Sequence, residues 1–174
     1  MIRDINVHWS TGLTVGSVIP HHDSCLRNVT FKDCKMYHPL KGIYIKNDPD
    51  KHQEIGPKGG GLVRDITYEN IEVHNPYWYP IYIGPQQQSQ PHQSAYGKGP
   101  GCLLYPLTPC ATNPEVTFRD FTLRNVQIYN AWLPPIFRCS ELNPCTGMVF
   151  DNVNFHDSWW QKLGIPYNTE NVYG

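Results

Sequence analysis

One five-residue phrase recurs along the chain, as Arg3-Asp4-Ile5-Asn6-Val7, Arg27-Asn28-Val29-Thr30-Phe31, Arg64-Asp65-Ile66-Thr67-Tyr68 and Arg119-Asp120-Phe121-Thr122-Leu123. Asp151-Asn152-Val153-Asn154-Phe155 is a degenerate further copy. Each copy is followed by a second short alternation opened by Gly or Pro: Gly12-Leu13-Thr14-Val15, Gly42-Ile43-Tyr44-Ile45, Pro80-Ile81-Tyr82-Ile83 and Pro135-Ile136-Phe137. Apolar residues at a period of two mark a strand with one face turned inward. Two such strands returning in a fixed order make each repeat one turn of a solenoid. The copies begin at residues 3, 27, 64 and 119, so the coil is constant while the loops between strands vary in length. The pattern predicts an all-β fold, a partial parallel β-helix over residues 1–174 with no second domain. The Asn or Asp beside each strand suits a corner between sheets, where a short polar side chain tolerates unusual torsions, and stacked copies should form a ladder.

Composition agrees. Sixteen Pro, 14 Gly, 11 Tyr and 5 Trp in 174 residues oppose long helices and favour strands. The formal net charge of −1 and the lack of a basic stripe argue against nucleic-acid binding, which draws its affinity from clustered Lys and Arg. No apolar run reaches the length of a bilayer-spanning helix, so no membrane partner is expected, and the opening Met1-Ile2-Arg3-Asp4-Ile5 carries no signal-peptide pattern.

The six cysteines fall as Cys25/Cys34, Cys102/Cys110 and Cys139/Cys145, none with the Cys-x-x-Cys spacing of zinc or redox sites. Disulfides are the expected use. Sequence cannot choose among the connectivities, but neighbour pairing would close short loops worth about 2 to 3 kcal/mol each. An oxidising, extracellular or lumenal compartment follows. Asn28-Val29-Thr30 is a glycosylation sequon, making Asn28 the candidate acceptor of a secreted glycoprotein. The insertion over residues 85–114, with Gln86-Gln87-Gln88 and the Cys102/Cys110 pair, reads as a disulfide-pinned loop or lid at the mouth of a groove.

Ser10-Thr11-Gly12-Leu13-Thr14-Val15-Gly16-Ser17-Val18, followed by Gly42-Ile43-Tyr44-Ile45-Lys46, resembles the C-terminal half of glycoside hydrolase family 28, the polygalacturonases and related pectinases. The family's segments are Gly-His-Gly-Ile-Ser-Ile-Gly-Ser, then Arg-Ile-Lys, then an Asn-Ile-Thr strand and a Pro-Ile-x-Ile strand. The last two correspond to Asp65-Ile66-Thr67-Tyr68 and Pro80-Ile81-Tyr82-Ile83, and Asn143 to Val153 with Glu170-Asn171-Val172-Tyr173-Gly174 resembles the final coils. The resemblance implies a right-handed parallel β-helix and a secreted hydrolase, acting on pectin-like cell-wall polysaccharide with inversion. The family's catalytic carboxylates come from an Asn-Thr-Asp segment and an Asp-Asp pair, and neither string occurs here. Inverting hydrolysis needs one acid and one base about 6.5 to 9.5 Å apart. This chain alone is therefore expected to be inactive, with no catalytic residue of its own, the complete protein being the hydrolase. The motif His position is Thr11 and the motif Arg position is Tyr44, while Lys46 is kept. Losing the bidentate cation favours a neutral or differently substituted sugar over galacturonate.

The candidate substrate-binding residues are Lys46, Tyr44, Trp78 and Gln86. If Ile43 and Ile45 face the core, the pleat places Tyr44 and Lys46 together on the outer face. Trp78 is either a sugar-stacking platform or part of the wall, whereas Trp159-Trp160 is expected to pack. Gln86 offers an amide for sugar hydroxyls. Asp48 and Asp50 read as a turn, and His21-His22-Asp23 as a polar loop, so no metal is expected. No nucleophile elbow surrounds Ser10, Ser17 or Ser24, and Gly59-Gly60-Gly61 lacks the following Lys-Ser/Thr of a phosphate loop, so no cofactor is expected. The competing class is a non-catalytic carbohydrate-binding or matrix-assembly protein on a pectinase scaffold. In either case an open N-terminal coil should accept further β-helix coils or another chain.

Overall fold

The computed structural model describes residues 1–18, 21, 23–47, 60–84, 112 and 114–174. Their strands are β1 (Ile2–Arg3), β2 (Asn6–His8), β3 (Leu13–Val18), β4 (Cys25–Tyr37), β5 (Ile43–Asn47), β6 (Leu62–His74), β7 (Ile81–Ile83), β8 (Thr117–Tyr129), β9 (Ile136–Arg138), β10 (Thr146–His156) and β11 (Asn168–Glu170). One short helix, α1 (Trp159–Lys162), follows β10. All pairings between these strands are parallel and form two sheets. Sheet A runs β1-β4-β6-β8-β10, with β2 also on β4, and sheet B runs β11-β9-β7-β5-β3. Each coil contributes one long strand to sheet A and one short strand to sheet B, which makes the molecule a parallel β-helix. Among the described residues no helix is long and apolar enough to cross a membrane.

The long strands are bent. In β6 the buried positions are Val63, Ile66, Tyr68, Ile71 and Val73, and in β8 they are Phe118, Phe121, Leu123, Val126 and Ile128. A flat strand turns every second residue inward, whereas here the interval alternates between three and two. The extra residue is in each case an Asp or Asn with positive φ: Asp65 and Asn70 in β6, Asp120 and Asn125 in β8. Asn and Asp enter this left-handed region at low cost, and the inserted residue turns the chain while returning the next side chain to the core. Asn28 and Asp33 do the same in β4, and His38, Asn75, Asn130 and Asp157 repeat the torsion at the strand ends.

These corners explain both the repeat and a correction to its phase. Arg27, Arg64 and Arg119 are in register, as the repeat requires. Arg3, however, pairs with Lys32 rather than with Arg27, and Asp151 pairs with Arg124 rather than with Arg119. Corners recur five residues apart within a coil, so the phrase "Asx, apolar, polar, apolar" fits at successive corners, and the first and last copies belong to the next one. The expected ladder sits at that second corner. Asn70 Nδ2 donates to Asp33 Oδ1 at 2.7 Å, Asn125 Nδ2 to Asn70 Oδ1 at 2.9 Å, and Asn152 Nδ2 to Asn125 Oδ1 at 3.0 Å.

Inside, the apolar rows of both sheets meet in one core, crossed by the hydrogen bond that Tyr68 Oη donates to the Leu13 carbonyl at 3.2 Å. Outside sheet A, His8, Tyr37, His74, Tyr129 and His156 stack in one column with ring centroids 4.6 to 4.9 Å apart. That spacing is the separation of neighbouring strands.

Cys139 and Cys145 form a disulfide, as neighbour pairing predicts. Cys25 and Cys34 do not: both are free thiols, Cys25 exposed and Cys34 buried. They lie in the same strand, β4, which keeps them far beyond the roughly 7 Å limit between Cα atoms of a bridge. Cys34 faces the core as the partner of Ile71, and its thiol donates to the Lys32 carbonyl at 3.2 Å. Burial pushes that thiol's pKa up. Cys102, Cys110 and most of the 85–114 insertion lie outside the described residues.

Candidate functional site

The short strands of sheet B show how the site is placed. Ile43 and Ile45 of β5 are fully buried in the main core, and so are their register partners Ile81 and Ile83 of β7. Tyr44 and Tyr82, the residues between them, point to the opposite face and join Tyr79 and Ile136 in a separate cluster. The pleat argument for Tyr44 therefore holds, and Tyr44 stands beside Thr14 of β3 and Tyr82 of β7.

On this face the Nζ of Lys46 lies 5.5 Å from the centre of the Tyr44 ring. A second ammonium, from Lys41, approaches the same ring to 3.7 Å and also lies 4.8 Å from Trp78 and 5.2 Å from Tyr82. Lys41 is only 1% exposed. A cation over an aromatic face is attracted by the ring quadrupole, more strongly when both are removed from water. Burial, reinforced by the charge of Lys46, nevertheless pulls the Lys41 pKa down to about 7. Burial pushes the Tyr44 hydroxyl pKa up. The face thus combines a buried, easily deprotonated amine, a half-exposed ammonium and a tyrosine that stays neutral.

Three of the four substrate-binding candidates, Lys46, Tyr44 and Trp78, are brought together here, and Gln86 lies outside the described residues. Tyr44 is buried beneath its neighbours, so it forms floor rather than an open platform. Trp78 is half-buried and stacks on Tyr79 at 5.5 Å between centroids. Thr11 is exposed in the bend before Gly12, whose φ is 103°. A Cβ on Gly12 would stand 1.9 Å from the Lys41 carbonyl oxygen, so a side chain is excluded where this coil crosses the next. Asn28 is exposed at a corner of β4.

Alternation could have assigned Tyr82 from Pro80-Ile81-Tyr82-Ile83, because it repeats Tyr44 one coil on. Lys41 could not be reached that way. β5 begins at Ile43, and Lys41 precedes the turn at Gly42, where period-two parity no longer applies.

Among the described strands of sheet B the one carboxylate is Glu170 of β11. It is engaged by Arg138, whose Nε donates to Oε2 at 2.7 Å. An acid and base pair is therefore not present on these strands. Asp48 and Asp50 lie outside the described residues, as does His22. His21 accepts a hydrogen bond from the Asp23 backbone at 3.2 Å, and among the described residues no group of three or more His, Cys, Asp or Glu is placed to hold a metal ion.

Hollows also lie elsewhere among the described residues. An apolar one of about 320 Å³, lined by Phe137, Phe150, Val153 and Tyr167, faces the last coil. A polar trough of about 540 Å³ runs over Asn28, Asp65 and Asp120 on sheet A. Neither includes Lys41, Tyr44 or Lys46, and we place the site on sheet B because its cations, aromatic rings and motif positions coincide there.

The family model for glycosyl hydrolases family 28 matches residues 2–168. The chain belongs to this family. No curated protein and no solved structure matches it. Family membership identifies the parallel β-helix as the glycosyl hydrolases family 28 fold and implies a polysaccharide substrate.

Proposed function

We propose that this chain supplies the sugar-binding wall of a secreted, polygalacturonase-type inverting hydrolase, with the outer face of sheet B holding an acidic sugar. Family membership over residues 2–168 supports the reaction class. The observation that carries the choice of sugar is the pair of amines, Lys41 and Lys46, within 3.7 and 5.5 Å of the Tyr44 ring centre. Where the family motif has an Arg, Tyr44 removes a cation, and Lys41 brings an amine that is charged below about pH 7 to within 3.7 Å of that ring. Lys46 is the residue that meets solvent and would receive the sugar carboxylate. Below about pH 7 the charged Lys41 would raise the local potential from beneath, more strongly than at an exposed site because burial lowers screening. The acid and base for hydrolysis would come from residues outside those described. The Cys139–Cys145 disulfide and the Asn28 sequon support a secreted glycoprotein.

Binding of a galacturonate trimer, followed by calorimetry at low and high salt, tests the wall. Lys46→Met should weaken binding at low salt by about tenfold and flatten its salt dependence. Equal affinity of the wild type for a neutral galactose trimer would overturn the choice of acidic sugar. Release of reducing ends from polygalacturonate tests the hydrolase, with turnover expected only from a protein that also carries the carboxylate pair.

The second reading is a non-catalytic carbohydrate-binding scaffold. It is favoured by Thr11 at the motif His position and by the engagement of Glu170 with Arg138. Trimer binding without turnover by the complete protein would support it. In both readings residues 25–30 of β4 suit a further coil or another chain, since β1 begins its pairing only at Phe31.

A further inference from the structure

The third corner of each coil, at Trp9, His38, Asn75, Asn130 and Asp157, leads the chain from sheet A toward sheet B. Large aromatic side chains gather at this edge. Trp9 is 68% exposed, Tyr77 54%, Trp132 60% and Trp159 49%. Trp9 lies 5.4 Å from Tyr77 between ring centroids, and Trp132 stacks on Trp159 at the same distance. Tyr77, Trp132 and Trp159 each stand two residues after a corner, and the corners of the middle coils are joined where Asn130 Nδ2 donates to Asn75 Oδ1 at 3.0 Å. The rings therefore gather along one edge of the coil stack in two groups, Trp9 with His38 and Tyr77, and Trp132 with Trp159.

Core packing does not account for these rings. Trp160, next to Trp159, is 3% exposed and packs edge-on against Phe155, so the Trp159-Trp160 pair divides one ring inward and one outward. The exposed edge is continuous with the candidate site. Tyr77 is followed directly by Trp78, half-buried beside Lys41, and by Tyr79 of the sheet B cluster.

We infer that this edge is an auxiliary binding surface for the same polysaccharide, holding the polymer beside the sheet B face. The inference rests on the carbohydrate-binding reading of sheet B and extends it to a second site. Its position favours the polymer bound at sheet B: the two ring groups, Trp9-His38-Tyr77 and Trp132-Trp159, flank the corner from which Trp78 enters the candidate site. The chemistry fits as well, because sugar rings present apolar C–H faces edged by hydroxyls. Here the aromatic rings stand beside the Asn75 and Asn130 corner amides and the His38 imidazole, whose polar atoms suit hydroxyls.

The test compares wild type, Trp9→Ala/Trp132→Ala and Trp132→Leu, using retention in gels cast with polygalacturonate or with highly methyl-esterified pectin, alongside trimer binding in solution. Circular-dichroism melts check that each variant is folded, and Trp132→Leu keeps apolar bulk while removing the flat ring. The double variant should lose about tenfold in polymer affinity, and Trp132→Leu should lose part of it. Trimer affinity should be unchanged in both. Undiminished polymer retention by the folded double variant would overturn the inference, as would absence of wild-type retention in both gels. A wild-type dimer that Trp132→Leu dissociates without changing polymer retention would reassign the edge to self-association. Failure of the sheet B reading has a different signature, namely trimer binding that is absent or indifferent to Lys46→Met.

Discussion

The ammonium of Lys41 lies 3.7 Å from the centre of the Tyr44 ring and is almost wholly removed from water. Neighbouring rings compensate only part of the desolvation of that charge, which is why its pKa falls from 10.5 to about 7 in the folded protein.

This shift makes stability depend on pH. Below about 7 the lysine is charged in both the folded and the unfolded chain, and the full cost of burying the charge is present. Between about 7 and 10.5 the unfolded chain holds the proton more tightly, so stability from this group rises with pH across that window and levels off above it. Urea unfolding at pH 6.5 and about pH 9 should show this rise in wild type and a smaller one in Lys41→Met. Parallel pH profiles for the two proteins would contradict the assignment.

The Asn ladder separates torsion from hydrogen bonding. Asn70 sits at φ 55°, donates to Asp33 and accepts from Asn125. Asn70→Ala loses both bonds and forces a methyl-bearing residue into the left-handed region, and should cost about 2 to 4 kcal/mol. Asn70→Gly loses the bonds but relieves the torsion, and should cost about 1 to 2 kcal/mol. Equal losses in denaturant unfolding would show that the torsion contributes nothing.

Thiol chemistry checks the cysteine correction. Alkylation of the native protein without reductant should label Cys25 quickly and Cys34 only after unfolding, while Cys139 and Cys145 remain unlabelled until reduced. Replacing Cys139 and Cys145 together by Ser should cost about 2 kcal/mol, in keeping with the short loop that they close. A tryptic peptide linking Cys25 to Cys34 would restore the original pairing.

The coil was legible because its signals are local. Gly-Ile-Tyr-Ile and Pro-Ile-Tyr-Ile alternate cleanly, and their Ile residues fill the core while their Tyr residues face outward. The phase was less legible, since Asp4 and Asn28 look alike in sequence although they stand at different corners. Cys25 and Cys34 are near in sequence, but the extended strand between them holds them apart. Lys41 depends on a contact made across the Gly42 turn and on rings from the following coil, Trp78 and Tyr82, which no local pattern encodes.

The charge at the sheet B face should behave as a property of positions 41 and 44 together. Tyr44→Arg alone would place a guanidinium among the amines of Lys41 and Lys46, at a position that is itself buried, and should destabilise the fold by about 2 to 4 kcal/mol. Lys41→Met in the same chain removes one of the crowded charges and leaves a flexible apolar side chain to fill the space beneath the new one. The double variant should therefore recover most of the loss, with a coupling of about 1 to 3 kcal/mol in a double-mutant cycle followed by urea unfolding. It should also bind the galacturonate trimer at least as well as wild type, because the cation has moved within the face rather than left it. Additive effects in the cycle, or trimer binding lost in the double variant with Lys46 intact, would mean that Lys41 does not stand in for the motif Arg, and the acidic-sugar reading would then rest on Lys46 alone.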